Sequence, residues 1–342
     1  MVMAFSPAQD AKAVLLPAFD ATALSDTTRR FLDEGGVSIL LGESRAEYVA
    51  RGMSMERRAA ESAETFRLVT ADAKKCSGLL LAAVDQEMAG ICRLHDLVPS
   101  FPSPDLLPFA SEQDIEAVAY QVALIASSLG VNCFLSPVLD VVKGRNPWLS
   151  GRTWSTDPAL IGRLSAAYIR GAQRGRVAAT GKHFPGFSDV SGDPAIDDQA
   201  VNSLQRGEIE AGLPPFRAAI EAGVEIMMVG PAIVSAIDDK VAALRSRKIV
   251  GMLKEALGFK GVVMADDLDS HATMRGDSVC QVALDALNAG CDFLLLADTG
   301  NQLDEVANAI SRAAETGDIS REALAKSAER VRALAKEYDA KV

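Results

Sequence analysis

Short, almost unbroken apolar runs recur at residues 13–16, 37–41, 79–84, 131–135, 177–180, 224–229, 261–265 and 293–296. A strand with one wet face alternates apolar and polar positions. These runs stay apolar at successive positions, the pattern of strands covered on both faces in a parallel sheet. Between them, residues 111–128, 158–175, 206–222, 239–257 and 278–288 carry helical spacing. Gly130, Gly223, Gly258 and Gly290 stand where a left-handed residue ends a helix before the next strand, and Thr156-Asp157-Pro158 offers a cap followed by a first-turn proline. The last helical stretch, 302–338, is expected to break near Gly317-Asp318-Ile319-Ser320, with Ser320 capping a new helix and Glu322 in its first turn.

Strands alternating with helices predict an α/β fold, and eight runs predict a TIM-type (β/α)8 barrel formed as one domain over residues 1–342. A doubly wound open sheet would show much the same rhythm; only the count of eight favours closure. The composition, 49% hydrophobic but 5% aromatic, suits a core of aliphatic side chains. With 46 acidic against 35 basic residues the formal charge is −11, and no basic run supplies the footprint that nucleic acid requires. The opening residues lack the charged head and long apolar run of a secretory signal, and no later stretch is long and apolar enough for a membrane. The expectation is a soluble, cytoplasmic protein. Its five scattered cysteines read as reduced packing residues, and the sequence does not fix the oligomeric state.

The polar residues next to these runs carry the chemistry. Asp85, Gln86 and Glu87 follow the third run, Lys182 and His183 the fifth, Asp266 and Asp267 the seventh. In a barrel the carboxyl ends of all strands meet at one mouth, so these residues would form one cluster, although any single carboxylate could instead cap the helix that follows it. There is no nucleotide P-loop, dinucleotide fingerprint, GxSxG, HExxH or CxxC pair, and His95, His183 and His271 have no compact ligand spacing, so neither metal nor organic cofactor is expected. Carboxylate chemistry remains: Asp266, faced by donors Lys182, His183 and Arg152, could attack the anomeric carbon of a sugar and form a covalent intermediate.

An ordered series of motifs covers most of the chain: Val84-Asp85-Gln86-Glu87, Arg93-Leu94, residues 137–141, Arg152-Thr153-Trp154 before Asp157-Pro158, Lys182-His183-Phe184-Pro185-Gly186 and Ala265-Asp266-Asp267-Leu268. On these the chain resembles glycoside hydrolase family 3, in its single-domain β-N-acetylglucosaminidase (β-N-acetylhexosaminidase) branch. The resemblance implies that Asp266 matches the nucleophile of a retaining double displacement. It also implies that Asp85, Arg93, Arg152, Lys182 and His183 match sugar-binding positions, and that no cofactor is needed. The substrate it implies is a β-linked N-acetylhexosamine, N-acetylglucosamine foremost, on a small or cell-wall-derived glycoside in the cytoplasm. Two departures stand out. In the family, an Asp-His dyad on the loop after the lysine-histidine motif serves as acid/base; here Asp193 matches its aspartate, but Ala195 stands where the histidine is expected. The glycine pair after Asp-Gln-Glu is replaced by Met88-Ala89. Alternative readings are therefore a carbohydrate-binding protein that has lost proton delivery, or an enzyme that transfers the sugar to phosphate or another acceptor.

Overall fold

The structure is a computed structural model that describes residues 5–297 and 302–339; the first four residues of the opening stretch lie outside the described residues. Eight parallel strands close into a barrel: β1 (Leu15–Phe19), β2 (Ser38–Leu41), β3 (Leu81–Val84), β4 (Cys133–Phe134), β5 (Ala178–Phe184), β6 (Ile226–Val229), β7 (Val262–Ala265) and β8 (Phe293–Leu296). Neighbours in sequence are neighbours in the barrel, and β1 seals the ring by pairing Leu15 with Leu294 of β8. Closure, which the apolar rhythm alone left open, follows from this last pairing: no strand keeps a free edge. Every position of β2, β3, β4, β6, β7 and β8 is buried, because helices cover the outside while barrel side chains fill the inside.

The helices follow the cap chemistry closely. Glu112–Ser128 starts at Ser111, whose hydroxyl accepts from the Asp114 N–H, and Pro158–Arg174 starts at Asp157, which accepts from the Ala159 N–H. The last helical stretch divides as expected into Gln302–Thr316 and Arg321–Asp339 around Gly317 (φ 89°), and Ser320 accepts from the Ala323 N–H. Two expected helices do not form as single elements. Residues 206–222 split into Arg206–Ala211 and Pro214–Glu221, because Pro214 and Pro215 lack the N–H groups a continuing helix needs and fit only a first turn. In the segment read as a helix over 239–257, Asp238–Ala242 is instead a strand antiparallel to Ile233–Val234, and only Arg247–Gly251, followed by one wider turn, is helical. Its first residues, Asp238-Asp239-Lys240, have no apolar stripe to lay on the barrel. Strand β5 is longer than its apolar run, so Lys182 and His183 lie inside it rather than after it.

The three short strands Val201–Asn202, Ile233–Val234 and Asp238–Ala242 form a small sheet that anchors the long loop after β5. The Ser191 N–H donates to the Val201 carbonyl, and the Ala272 N–H from the loop after β7 donates to the Pro194 carbonyl. The loop carrying Asp193 and Ala195 is thereby tied to the loop that follows Asp266.

At the opposite end of the barrel, buried Asp292, just before β8, accepts from Lys254 (3.1 Å), Arg330 (2.8 Å), the Ser327 hydroxyl (2.9 Å) and the Val263 N–H (3.1 Å). It fastens the last helix to the base of the barrel. Asp292→Ala removes the acceptor shared by Arg330, Lys254, the Ser327 hydroxyl and the Val263 N–H, and is expected to lower stability by about 2 kcal/mol, chiefly from the buried groups left unpaired. A urea-unfolding midpoint equal to that of the native protein would refute this.

Candidate active site

The carboxyl ends of the strands open onto a cavity of about 440 Å3, and Asp85, Arg152, Lys182, His183 and Asp266, drawn from loops or strand ends far apart in sequence, all line it. At its base lies a buried chain of charges. Lys182 Nζ donates to Asp85 Oδ1 at 2.5 Å and lies 2.9 Å from Glu87 Oε1. Glu87 also receives Arg152, with Nη2 2.7 Å from Oε1. Burial works against each charge, yet Arg152 and Lys182 hold the Glu87 carboxyl down to about 2, and Asp85 and Glu87 keep the Lys182 ammonium charged. Gly90 (φ 92°) makes the tight return of the loop after β3 possible; a Cβ there would sit 2.6 Å from Glu87 Oε2. Met88 and Ala89, in place of the expected glycine pair, are buried beneath the same turn.

His183 is fixed by Asp140, which accepts from its ring Nδ1 (2.8 Å) and its backbone N–H (2.9 Å) and also from the Phe187 N–H (2.8 Å). Trp148 covers the imidazole, with ring centroids 4.4 Å apart. Burial, then the nearby Arg152 and Lys182, push the His183 pKa well below its usual value, so the ring is neutral. Nδ1 carries its proton, and Nε2 presents a lone pair 3.8 Å from Asp266 Oδ2.

Asp266 follows β7 and accepts the Asp267 N–H at Oδ1 (2.9 Å). Burial raises its pKa to about 6, against that N–H and the charges of Lys182 and Arg152. Asp267 is driven well above the usual range by burial and then by Asp266 itself, so the two neighbouring carboxyls resist carrying two negative charges at once.

Two residues read as functional are not among the cavity-lining side chains. Arg93 is fully buried; its guanidinium forks onto Glu61 (2.6 and 2.8 Å) and its Nε donates to the Gly42 carbonyl (2.7 Å), so every donor edge that could meet a sugar points into protein. Asp193 is turned into its own loop, where it accepts from the Ala195 N–H (3.0 Å), Arg51 (3.4 Å) and the Tyr48 hydroxyl (3.5 Å). Its neighbours Pro194 and Ala195 form cavity wall in its stead. The structure also brings in residues that the motifs passed over: Glu43 after β2, Tyr48 on the helix Arg45–Ala50, and Trp148 in the irregular stretch before Arg152. Glu43 stands one residue beyond Gly42 at the end of an apolar run, the same signal that marked Asp85 and Asp266, and so was within reach of the sequence.

The description "Glycosyl hydrolase family 3 N terminal domain" matches residues 16–334. The chain belongs to glycosyl hydrolase family 3. A relative named β-hexosaminidase from Methylobacillus flagellatus is 30% identical over 238 residues, covering 66% of this chain and 67% of the relative. One of the same name from Neisseria meningitidis serogroup B is 27% identical over 268 residues, covering 75% and 73%. Among solved structures, a family 3 β-N-acetylglucosaminidase from a Paenibacillus species superposes with a TM-score of 0.89 at 25% identity over 99% of this chain, which spans 64% of that protein's length. A β-N-acetylhexosaminidase from Beutenbergia cavernae, covered over 98% of its length at 23% identity and a TM-score of 0.83, shares the fold.

Within this family 3 barrel the placement of Arg93 makes it a support of the loops beneath the cavity. Arg93→Met is expected to lower stability by about 3 kcal/mol, because Glu61 loses its forked partner in a buried setting, while the folded variant binds sugar as the native protein does. A titration showing lost sugar affinity with an unchanged melting temperature would return Arg93 to the sugar site.

Proposed function

We propose that this family 3 protein is a retaining glycoside hydrolase that removes a β-linked N-acetylhexosamine, N-acetylglucosamine foremost, from a small or cell-wall-derived glycoside. The observation that carries the reading is the placement of Asp266: its carboxyl follows β7 and lines the cavity, held by the Asp267 N–H and facing the same space as Asp85, Arg152, Lys182 and His183. Such a group attacks the anomeric carbon of a bound sugar, and the resulting glycosyl ester is then opened by water. Asp85, Lys182, Arg152 and His183 would hold the ring. The ion-paired Lys182 and Arg152 donate, Asp85 accepts, and the Nε2 of neutral His183 accepts from a sugar hydroxyl. The relatives named β-hexosaminidase support the choice of an N-acetylhexosamine. A cytoplasmic setting accords with the five cysteines, all free thiols. No helix among the described residues is long and apolar enough to cross a membrane.

Ala195 favours a second reading. Its methyl group is cavity wall where an acid/base histidine is expected, so at that position the loop after β5 offers water no base. A glycosyl-Asp266 ester can equally be opened by an anionic acceptor such as phosphate, which attacks without a base. Product analysis with and without phosphate separates the two: free sugar supports hydrolysis, a sugar 1-phosphate supports transfer.

Asp266→Asn should reduce turnover of an aryl N-acetyl-β-glucosaminide by three or more orders of magnitude, roughly the loss on removing a nucleophile, while sugar affinity remains measurable. A slow-turnover fluorosugar should label Asp266 in the native protein, and its appearance on any other residue by mass spectrometry would remove the assignment. The acid limb of kcat/KM tests the same group in a different way. Because the raised pKa of about 6 means that the carboxylate forms only as pH rises through that value, kcat/KM should climb along its acid limb from pH 4.5 to 6. A flat profile across that interval would contradict it.

A further inference from the structure

The hydrolytic reading needs a proton donor for the leaving group, and the loop that supplies one in the resembling family presents an alanine here. Around the cavity, most polar groups already have work to do. Asp85 and Glu87 bind Lys182, Glu87 binds Arg152, Asp140 binds His183, and Asp193 is held by its own loop. Glu43 is different. It lines the cavity, yet its Oε2 is buried and has no hydrogen-bond partner. A buried carboxyl oxygen without a partner is costly, and its retention at a cavity wall points to a partner that arrives with the ligand.

Its place in the barrel suits one task. Glu43 follows β2 and Asp266 follows β7, with β8 and β1 between them on the shorter way round the ring, so the two carboxyls project into the cavity from facing arcs. A retaining glycosidase needs this disposition: the nucleophile on one face of the sugar ring and the proton donor on the side of the departing oxygen. From this geometry we propose that Glu43 is the acid/base of the reaction, in place of the absent histidine.

In the first step the Glu43 proton passes to the glycosidic oxygen as its bond to C1 breaks and an Asp266 oxygen bonds to C1. In the second, the Glu43 carboxylate takes a proton from water as the water oxygen bonds to C1 and Asp266 leaves. Glu43 ends protonated, as it began. Burial, then the charge of Asp85, raise the Glu43 pKa to about 7 against the pull of Lys182 and Arg152, so both protonation states are accessible near neutrality. His271 is exposed on the loop after β7, 3.4 Å from the exposed Asp198, and is not among the lining residues.

The proposal rests on the hydrolytic reading, and the test separates the two. The native protein, Glu43→Gln, Glu43→Asp and His271→Ala are compared on 2,4-dinitrophenyl N-acetyl-β-glucosaminide, which leaves without protonation, and on N,N′-diacetylchitobiose, which does not. Expected for Glu43→Gln is a fall in kcat/KM of roughly a hundredfold or more on the disaccharide but under tenfold on the activated glycoside, the range of a lost general acid. Glu43→Asp should be intermediate. Added azide should accelerate Glu43→Gln on the activated glycoside and yield the β-glycosyl azide, because a small anion attacks the glycosyl-Asp266 ester without a base. Equal losses on both substrates, or no azide product, would overturn the assignment and leave Glu43 a binding residue. A disaccharide-selective loss in His271→Ala would also overturn it. Absence of turnover of either substrate by the native protein would defeat the hydrolytic reading and this assignment together.

Discussion

The structure of the site depends on one buried ammonium. Lys182, projecting from the long strand β5, sits between Asp85 and Glu87 and is almost wholly removed from water. A lone cation in that position would be untenable; two carboxylates from the loop after β3 make it stable, and Glu87 then has charge left to bind Arg152 from a second loop. Two loops and strand β5, spread over about a hundred residues of chain, are thus locked into one geometry by a single electrostatic requirement. A flexible surface lysine could not position a sugar hydroxyl. A lysine held at both sides can.

That fixed charge pattern sets the protonation of everything around it. Burial and then the two cations keep His183 neutral, while the same cations pull against the burial that raises Asp266. At Glu43 burial and the charge of Asp85 outweigh them, and its carboxyl keeps its proton to higher pH than an exposed glutamate would. Two carboxyls in such environments would suit the proposed roles of nucleophile and acid without any change of residue type. The loop after β5, by contrast, spends Asp193 on its own backbone and on Arg51 and Tyr48. Its sequence has become that of a wall.

Much of the barrel was legible before any coordinates. The eight apolar runs fall on the eight strands, and the caps at Asp157 and Ser320 mark helix starts within a residue. Where reading failed, a local rule was outweighed. Pro214-Pro215 breaks a helix that hydrophobic spacing alone would continue, and the polar stretch from Asp238 finds better partners as a strand beside Ile233–Val234 than on the barrel surface. Lys182 and His183 seemed to lie beyond a strand because polar residues usually end an apolar run; inside a barrel a strand can carry them into the mouth.

By itself the sequence determined the elements, their order and the strand ends at which polar residues gather, because each of these follows from periodicity, caps and turns that act over a few residues. Motif order tied Asp85, Arg152, Lys182, His183 and Asp266 to one site. What only the tertiary structure decided was which of the charged residues face the cavity and which face protein. Arg93 lies in the loop after β3 and Lys182 near the end of β5, and no local pattern says which of the two faces the cavity. The first is consumed by Glu61, thirty-two positions earlier, and the second is presented to the mouth by Asp85 and Glu87. The same holds for the carboxylates: Asp193 is taken up by Arg51 and Tyr48, and Glu43 is left unpartnered, because pairing of buried charge is settled by distances through space that no local pattern records.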